Sequence, residues 1–146
     1  MKLYMPTKVF FEQGSVKNHA EELKKLGTKA MIVTGKHSSR INGSLLDVEA
    51  ALKQNGQDYV IFDEIEENPS VETASKAASA AVEAEVDFFV AVGGGSPMDA
   101  SKAISLLAKN PDAIPEAEER LYDAAPMAAY PVAAVPTTSG TGSEVT

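Results

Sequence analysis

The sequence contains no cysteine and no tryptophan, and only two of its 146 residues are histidine. Without cysteine the chain has no disulfide framework and no thiolate nucleophile or ligand, which fits a reducing compartment. Its start, MKLYMPTKVF, contains no apolar segment long enough for a signal peptide or a membrane span. We therefore expect a cytoplasmic protein.

Basic residues are outnumbered, because 13 Lys and Arg face 21 Asp and Glu and leave a formal net charge of −8. Such a chain repels phosphate backbones and anionic lipid, so nucleic acid and membrane surfaces are poor partners. Hydrophobic residues, by contrast, make up 44% of the sequence, which is enough to form a sizeable core. The composition predicts one globular domain.

Short apolar runs alternate with helical patterns along the chain. Apolar runs without polar alternation are typical of strands buried on both faces of a parallel sheet. Four such runs and a weaker fifth lie at Ala30–Thr34, Tyr59–Phe62, Phe88–Val92, Val132–Val135 and Lys8–Phe11. The alternation predicts an α/β fold, namely a Rossmann-like, doubly wound and mostly parallel sheet with helices on both faces.

Capping residues mark three of the helices. The first is predicted to begin at Ser15 and to end before Gly27, where a positive φ is tolerated. The second opens with a capping-box-like pattern at Ser44 and closes at Gly56. The third begins at Ser70, and its pattern predicts an inward-facing apolar set of Val71, Ala74, Ala78, Ala81 and Val82.

Ligands of doubly wound sheets bind outside the carboxyl ends of the strands, where this sequence places a run of three glycines, Gly93–Gly95. Glycines permit a sharp turn and leave backbone N–H groups uncovered. Ser96 is then a natural N-cap, with Pro97 at the first helical position and Asp99 at the third. Such a helix start attracts phosphate, for example a dinucleotide pyrophosphate. The alternative is a tight turn in which Asp99 serves only as a cap.

Two further loops at strand ends carry ligand-binding groups. The stretch VPTTSGTGSE offers hydroxyl groups to ribose, adenine or phosphate, from Thr137, Thr138, Ser139 and Thr141. The stretch TGKHSSR contains Gly35, Lys36, Ser38 and Ser39 but no acid. An acidic residue here often binds the ribose 2′-hydroxyl of NAD, whereas basic residues suit a 2′-phosphate. The loop therefore favours NADP, with NAD and a merely solvated loop as the alternatives.

The remaining polar residues predict no catalytic or metal site. His19 and His37 have no evident partner ligands, and a metal site needs several. Glu64, Glu66 and Glu67 form an acidic run that we interpret as a solvated connection. We accordingly assign no catalytic residue and no metal ligand in this sequence.

The two glycine-containing loops together resemble the iron-dependent (group III) alcohol dehydrogenase family. The matching stretches are FEQG, IVTGKHSS, FFVAVGGGSPMDASKAI and PTTSGTGSEVT, spread over essentially the whole chain. The resemblance implies that Gly94, Gly95 and Ser96 hold the pyrophosphate and that Asp99 points toward the nicotinamide. It also implies a nucleotide lining formed by Thr137, Thr138 and Thr141.

One position departs from the family pattern. Many members carry an aspartate, associated with NAD, directly after the residues VT, and this chain has Gly35 there. The departure favours NADP, with Lys36, Ser38 and Ser39 placed near the 2′-phosphate.

The family combines an N-terminal dinucleotide-binding domain with a C-terminal helical domain that carries the metal. Residues 1–146 are similar only to the first, and the family's metal ligands, an Asp and three His, lie downstream. The resemblance implies the cofactor-binding part of an oxidoreductase that transfers hydride between NAD(P)H and an alcohol/aldehyde pair. Iron or another divalent metal then belongs only to the full-length protein, and this part alone is expected to be inactive.

Two alternatives to this assignment are an enzyme like glycerol dehydrogenase or dehydroquinate synthase, and a stand-alone nucleotide-binding module without catalysis. The small-molecule partners implied are a dinucleotide and an alcohol or aldehyde, and a homodimer is left open.

Overall fold

The computed structural model describes residues 7–9, 20–36, 43–122 and 128–136. Within these ranges the elements are, in chain order, β1 (Thr7–Val9), α1 (Ala20–Lys24), β2 (Lys29–Thr34), α2 (Ser44–Gln54), β3 (Asp58–Phe62), α3 (Val71–Ala84), β4 (Phe88–Gly93), α4 (Gly95–Lys109), a 3-10 helix (Pro111–Glu116), α5 (Ala117–Tyr122) and β5 (Val132–Pro136). The strands form one sheet in the order β1-β5-β4-β2-β3, and every neighbouring pair is parallel.

Each face of the sheet is covered by its own group of helices. Alternate side chains of a strand point to opposite faces, so Met31 and Phe89 lie on one face while Ile32 and Val90 lie on the other. The first face packs against α3, α4, the 3-10 helix and α5, and the second packs against α1 and α2. The predicted doubly wound fold is confirmed.

The strand β3 is an edge strand, which corrects the expectation that Tyr59–Phe62 is buried on both faces. Within that run only Phe62 is buried, and Ile61 is 37% exposed. Among the described strands, β3 has a neighbour on one side only, so its side chains are less covered than those of the central strands. The weaker run at Lys8–Phe11 corresponds to β1, whose described part is Thr7–Val9.

The predicted start of α3 is confirmed, whereas that of α2 is wrong. The Ser70 hydroxyl accepts a hydrogen bond of 3.1 Å from the Thr73 amide. At α2 the N-cap is Gly43, with a φ of 80°, so Ser44 is the first helical residue and not the N-cap. The glycine takes the cap because the chain enters this helix through the left-handed region. On α3, Val82 is 40% exposed and does not face inward as predicted.

Gly27 follows α1 for a different reason from the one that the sequence suggested. Its backbone has no positive φ, unlike that of Gly56 after α2, whose φ is 74°. A Cβ at Gly27 would instead collide with the carboxylate of Asp87 and lie 2.8 Å from a ring carbon of Phe88. The glycine permits a close approach between this turn and the start of β4. The predicted helix start at Ser15 lies outside the described residues.

The segment between α4 and β5 contains helices that the sequence patterns did not reveal. The 3-10 helix and α5 bury Ala113, Ala117 and Leu121 against the same sheet face as α3. Pro111 and Pro115 obscured the pattern, since proline ordinarily interrupts helices. No helix in the described ranges is long and apolar enough to span a bilayer.

Candidate functional site

The connections of the sheet change direction between β2 and β4, a place that we call the switch point. The chain leaves β2 through α2 on one face toward β3, and it leaves β4 through α4 on the other face toward β5. The Thr34 hydroxyl donates a buried hydrogen bond of 2.8 Å to the Val92 carbonyl and joins the two carboxyl ends. Loops that diverge from such a point open a crevice in which ligands of α/β proteins bind.

The glycine run makes the turn from β4 into α4. Gly93 ends the strand with a φ of 139°, a conformation that side chains disfavour. A Cβ at this residue would lie 2.9 Å from Pro97 Cγ, so the strand can meet the helix only through glycine. The N-cap is Gly94, which supplies no side-chain hydrogen bond to the first turn of α4. The first N–H groups of this helix thus lack a side-chain cap and can donate hydrogen bonds to an anion.

Small side chains bring the first turn of α4 close to the sheet. Met98 is 3% exposed and packs on Ala91 of β4 and Ala134 of β5. Two alanines that face each other across neighbouring strands leave room for this contact. The packing fixes the direction in which the open N–H groups point, because the helix start cannot tilt away from the strands without losing it.

The structure corrects the predicted capping at this helix. Because α4 already begins at Gly95, Ser96 is its second residue and not its N-cap. The Ser96 hydroxyl instead donates a hydrogen bond to the carbonyl of Glu67 in the loop after β3. Asp99 is the fifth helical residue and is exposed, too far into the helix to cap it. Of the predicted phosphate-binding groups, the backbone N–H groups at the helix start remain, and the serine hydroxyl is already engaged.

A cleft of about 550 Å³ opens beside the carboxyl end of β2. Gly35, the residue after β2, is half-buried, and Lys36, which follows it, is exposed and lines the cleft. The rest of the lining comes from the loop after β3 and from α3, through Glu64, Ile65, Glu66, Thr73 and Lys76. Of the two predicted residues that the structure describes in this loop, Lys36 lines the cleft, and Gly35 precedes it at the end of β2.

The acidic run after β3 is a solvent-exposed connection, as expected, and two of its carboxylates also contact α3. Glu64 pairs with Lys76 at 2.8 Å across the cleft wall. Glu66 accepts hydrogen bonds from the Ser70 amide at 3.2 Å and from the Thr73 hydroxyl at 2.9 Å. The Thr73 bond, followed by that of Ser70, lowers the pKa of the Glu66 carboxyl below its usual value. These residues were not predicted as site candidates, although the position of the run at the carboxyl end of a parallel strand was a signal that could have identified them.

Six predicted cofactor residues lie outside the described ranges. They are Ser38, Ser39, Thr137, Thr138, Ser139 and Thr141. The residue before the last four, Pro136, is paired with Gly93 in the sheet, so that loop leaves β5 next to the glycine turn. His19 and His37 also lie outside the described ranges. Among the described residues no group of three or more His, Cys, Asp or Glu is arranged to hold a metal ion.

Comparison with known proteins connects this geometry to a family. Residues 6–146 match the iron-containing alcohol dehydrogenase family. The NADPH-dependent butanol dehydrogenase of Clostridium saccharobutylicum is 33% identical over 157 aligned residues, which cover 100% of this chain and 37% of that protein. The NADH-dependent butanol dehydrogenase A of Clostridium acetobutylicum is also 33% identical, over 97% of this chain and 36% of that protein.

A solved structure agrees with these relatives. The crystal structure of an iron-containing alcohol dehydrogenase from Thermotoga maritima superposes with a TM-score of 0.83 and 43% identity, covering 98% of this chain and 39% of that one. The chain thus spans well under half of the length of these relatives. The matches do not favour a glycerol dehydrogenase or a dehydroquinate synthase. With its switch-point glycine turn and its matched residues 6–146, the chain belongs to the iron-containing alcohol dehydrogenase family.

Proposed function

We propose that this chain forms the dinucleotide-binding domain of an NAD(P)-dependent alcohol dehydrogenase, which transfers hydride between NAD(P)H and an alcohol/aldehyde pair. The observation that carries the proposal is the start of α4 at the switch point, where Gly93 and Gly94 expose helix N–H groups. Family membership supports the reaction class. The metal would be held by residues of a longer protein.

The described residues fit a dinucleotide at two places. The pyrophosphate would accept hydrogen bonds from the first N–H groups of α4, where the helix dipole also favours negative charge. The adenosine ribose would lie toward the cleft that Lys36 lines, directly after Gly35. When bound, the nicotinamide supplies the hydride chemistry, and the chain's own residues bind and orient it.

We further propose that NADP(H) is favoured over NAD(H). The support is the absence of a carboxylate at Gly35 together with the exposed cation of Lys36 beside it. A carboxylate at that position would accept a hydrogen bond from a 2′-hydroxyl and repel a 2′-phosphate. Relatives named for NADPH and for NADH are both similar to this chain, so the family alone does not decide the preference.

Replacing Gly94 by valine tests the proposed pyrophosphate site. A β-branched side chain at the N-cap would cover the N–H groups that the phosphates need, while the extended backbone there, with a φ of −85°, accepts any residue. We expect Gly94→Val to weaken NADPH and NADH binding at least tenfold, about 1.4 kcal/mol, by isothermal titration calorimetry.

Ala80→Val is the matched control, because it adds the same branched side chain at an exposed position of α3. Circular dichroism and thermal melting establish that both variants fold. Unchanged affinity in a folded Gly94→Val chain would mean that the glycines serve only the turn. Failure of the unaltered chain to bind either dinucleotide would refute the proposed function itself.

A further inference from the structure

An exposed ion pair lines the same cleft as Lys36. The Lys76 ammonium on α3 lies 2.8 Å from the Glu64 carboxylate, and the two side chains are 65% and 47% exposed. Pairs of long, exposed side chains contribute little to stability because water and salt compete for both partners. This pair can therefore open without harm to the fold.

Glu66, the second carboxylate of the cleft, is held in place by hydrogen bonds. Both oxygens of Glu66 accept hydrogen bonds at the start of α3, from the Ser70 amide and the Thr73 hydroxyl. A rearrangement of Glu66 would break both of these bonds at the start of the helix. The charges able to respond to a ligand are consequently Lys36, Lys76 and Glu64.

These three charges suit the two forms of the cofactor differently. A phosphate monoester carries about −1.5 to −2 charges at pH 7, which one lysine does not neutralise. A 2′-hydroxyl is neutral and can donate a hydrogen bond to a carboxylate. Binding of the 2′-phosphate of NADP(H) therefore requires a second cation, whereas binding of the 2′-hydroxyl of NAD(H) requires a hydrogen-bond acceptor.

We propose that Lys76 and Glu64 are an exchangeable pair that determines the choice between NADP(H) and NAD(H), an inference that rests on the proposed dinucleotide site. With a 2′-phosphate bound, Lys76 leaves Glu64 and joins Lys36 on the phosphate. With a 2′-hydroxyl, the pair stays closed and Glu64 accepts the hydroxyl proton in a hydrogen bond. Lys76 and Glu64 thereby determine cofactor specificity from α3 and the loop after β3.

Calorimetric titration of NADPH and NADH against two variants tests the exchange. We expect Lys76→Met to weaken NADPH at least fivefold and to change NADH less than twofold. Glu64→Gln should act in the opposite sense, strengthening NADPH because a competing negative charge is removed and weakening NADH because the acceptor is poorer. Lys76→Arg keeps the cation and should retain the preference of the unaltered chain.

Lys53→Met is the matched control, since it removes an exposed lysine from the last turn of α2, away from the cleft. It should leave the ratio of the two affinities unchanged. Equal effects of Lys76→Met on NADPH and NADH, or no effect on either in a chain that still binds both, would overturn the exchange alone. Loss of all dinucleotide binding in the unaltered chain would overturn the exchange and the proposed function together.

Discussion

Gly35 shows how one missing side chain can define a ligand site. No positive φ is imposed at this residue, and an added Cβ would lie 3.4 Å from the Ile65 carbonyl, an ordinary contact. Neither strain nor crowding in the fold therefore requires glycine here. The next residue, Lys36, lines the cleft, so a side chain added at Gly35 would lie at the entrance to the proposed ribose site.

Introducing a carboxylate at this residue should reverse the proposed cofactor preference. We expect Gly35→Asp to weaken NADPH binding and to strengthen NADH binding, because the carboxylate repels a 2′-phosphate and accepts from a 2′-hydroxyl. Gly35→Asn has the same size without the charge and serves as the control. If the Asp and Asn variants changed both affinities alike, measured by cofactor titration, bulk and not charge would govern this position.

The start of α3 links helix formation to the cleft. Ser70 caps the helix by accepting a hydrogen bond from the Thr73 amide. Glu66 accepts hydrogen bonds from the Ser70 amide and the Thr73 hydroxyl. Residues three apart share one side of a helix, so the capped turn that fixes Thr73 also directs Lys76 to the cleft. A polar network before the first turn thus positions a side chain one turn later.

Removing the cap should cost a moderate amount of stability. We expect Ser70→Ala to lower the free energy of unfolding by about 1 kcal/mol, as is usual for loss of an N-cap hydroxyl. Ser79→Ala, at an exposed position within the same helix, is the control and should change it by less than about 0.5 kcal/mol. Urea unfolding followed by circular dichroism measures both, and equal effects would argue against a stabilising role of the cap.

Strands were predicted more accurately than helix starts, for a physical reason. The buried run predicted at Ala30–Thr34 differs from β2 by a single residue, because burial on both faces demands continuous apolar sequence. Capping depends on backbone angles that composition leaves undecided. Serine was expected at the start of α2 and α4, but Gly43 and Gly94 occupy the cap positions. The edge position of β3 depends on strand order, which no local pattern contains.

The site was predictable to the extent that it follows from topology. Loops at the ends of β2 and β4 could be inferred because parallel strands end at one edge of the sheet. The Glu64–Lys76 pair could not, since its partners are 12 residues apart and meet only when α3 packs beside the loop. The Ser96 hydroxyl, similarly, has its partner 29 residues earlier in the chain.

Asp87 joins two distant parts of the chain at the amino-terminal ends of the strands, opposite the proposed cofactor site. Its carboxylate accepts hydrogen bonds from the Thr28 amide and hydroxyl and from the Lys29 amide, at 3.0 to 3.1 Å. Burial raises the pKa of this carboxyl, but the bonds from Lys29 and Thr28 outweigh that effect and leave it below its usual value. Its ionised form therefore stabilises the folded chain.

The stability contributed by Asp87 should depend on pH. A pKa that is lower in the folded chain than in the unfolded one means that the contribution is complete above about pH 4 and is lost as the pH falls through the folded value. We expect Asp87→Asn to lower the free energy of unfolding by about 1 to 3 kcal/mol at pH 7. Urea unfolding at several pH values should show this difference shrinking below about pH 4.

Asp58→Asn, which changes an exposed carboxylate at the start of β3, is the control for overall charge. A difference between the unaltered chain and Asp87→Asn that stayed constant from pH 7 to pH 3 would contradict the role assigned to this carboxylate.

The position of β2 between β3 and β4 has a consequence for synthesis on the ribosome. The Thr34–Val92 hydrogen bond joins residues 58 apart, so β2 and β3 emerge long before β4 can complete the central sheet. At 5 to 20 residues per second, synthesis of the chain from Thr34 to Val92 takes about 3 to 12 s. During it, one edge of a strongly apolar strand remains unpaired, and such edges template association with other chains. Nascent copies are therefore most exposed to aggregation, and to capture by chaperones, before Val92 leaves the exit tunnel.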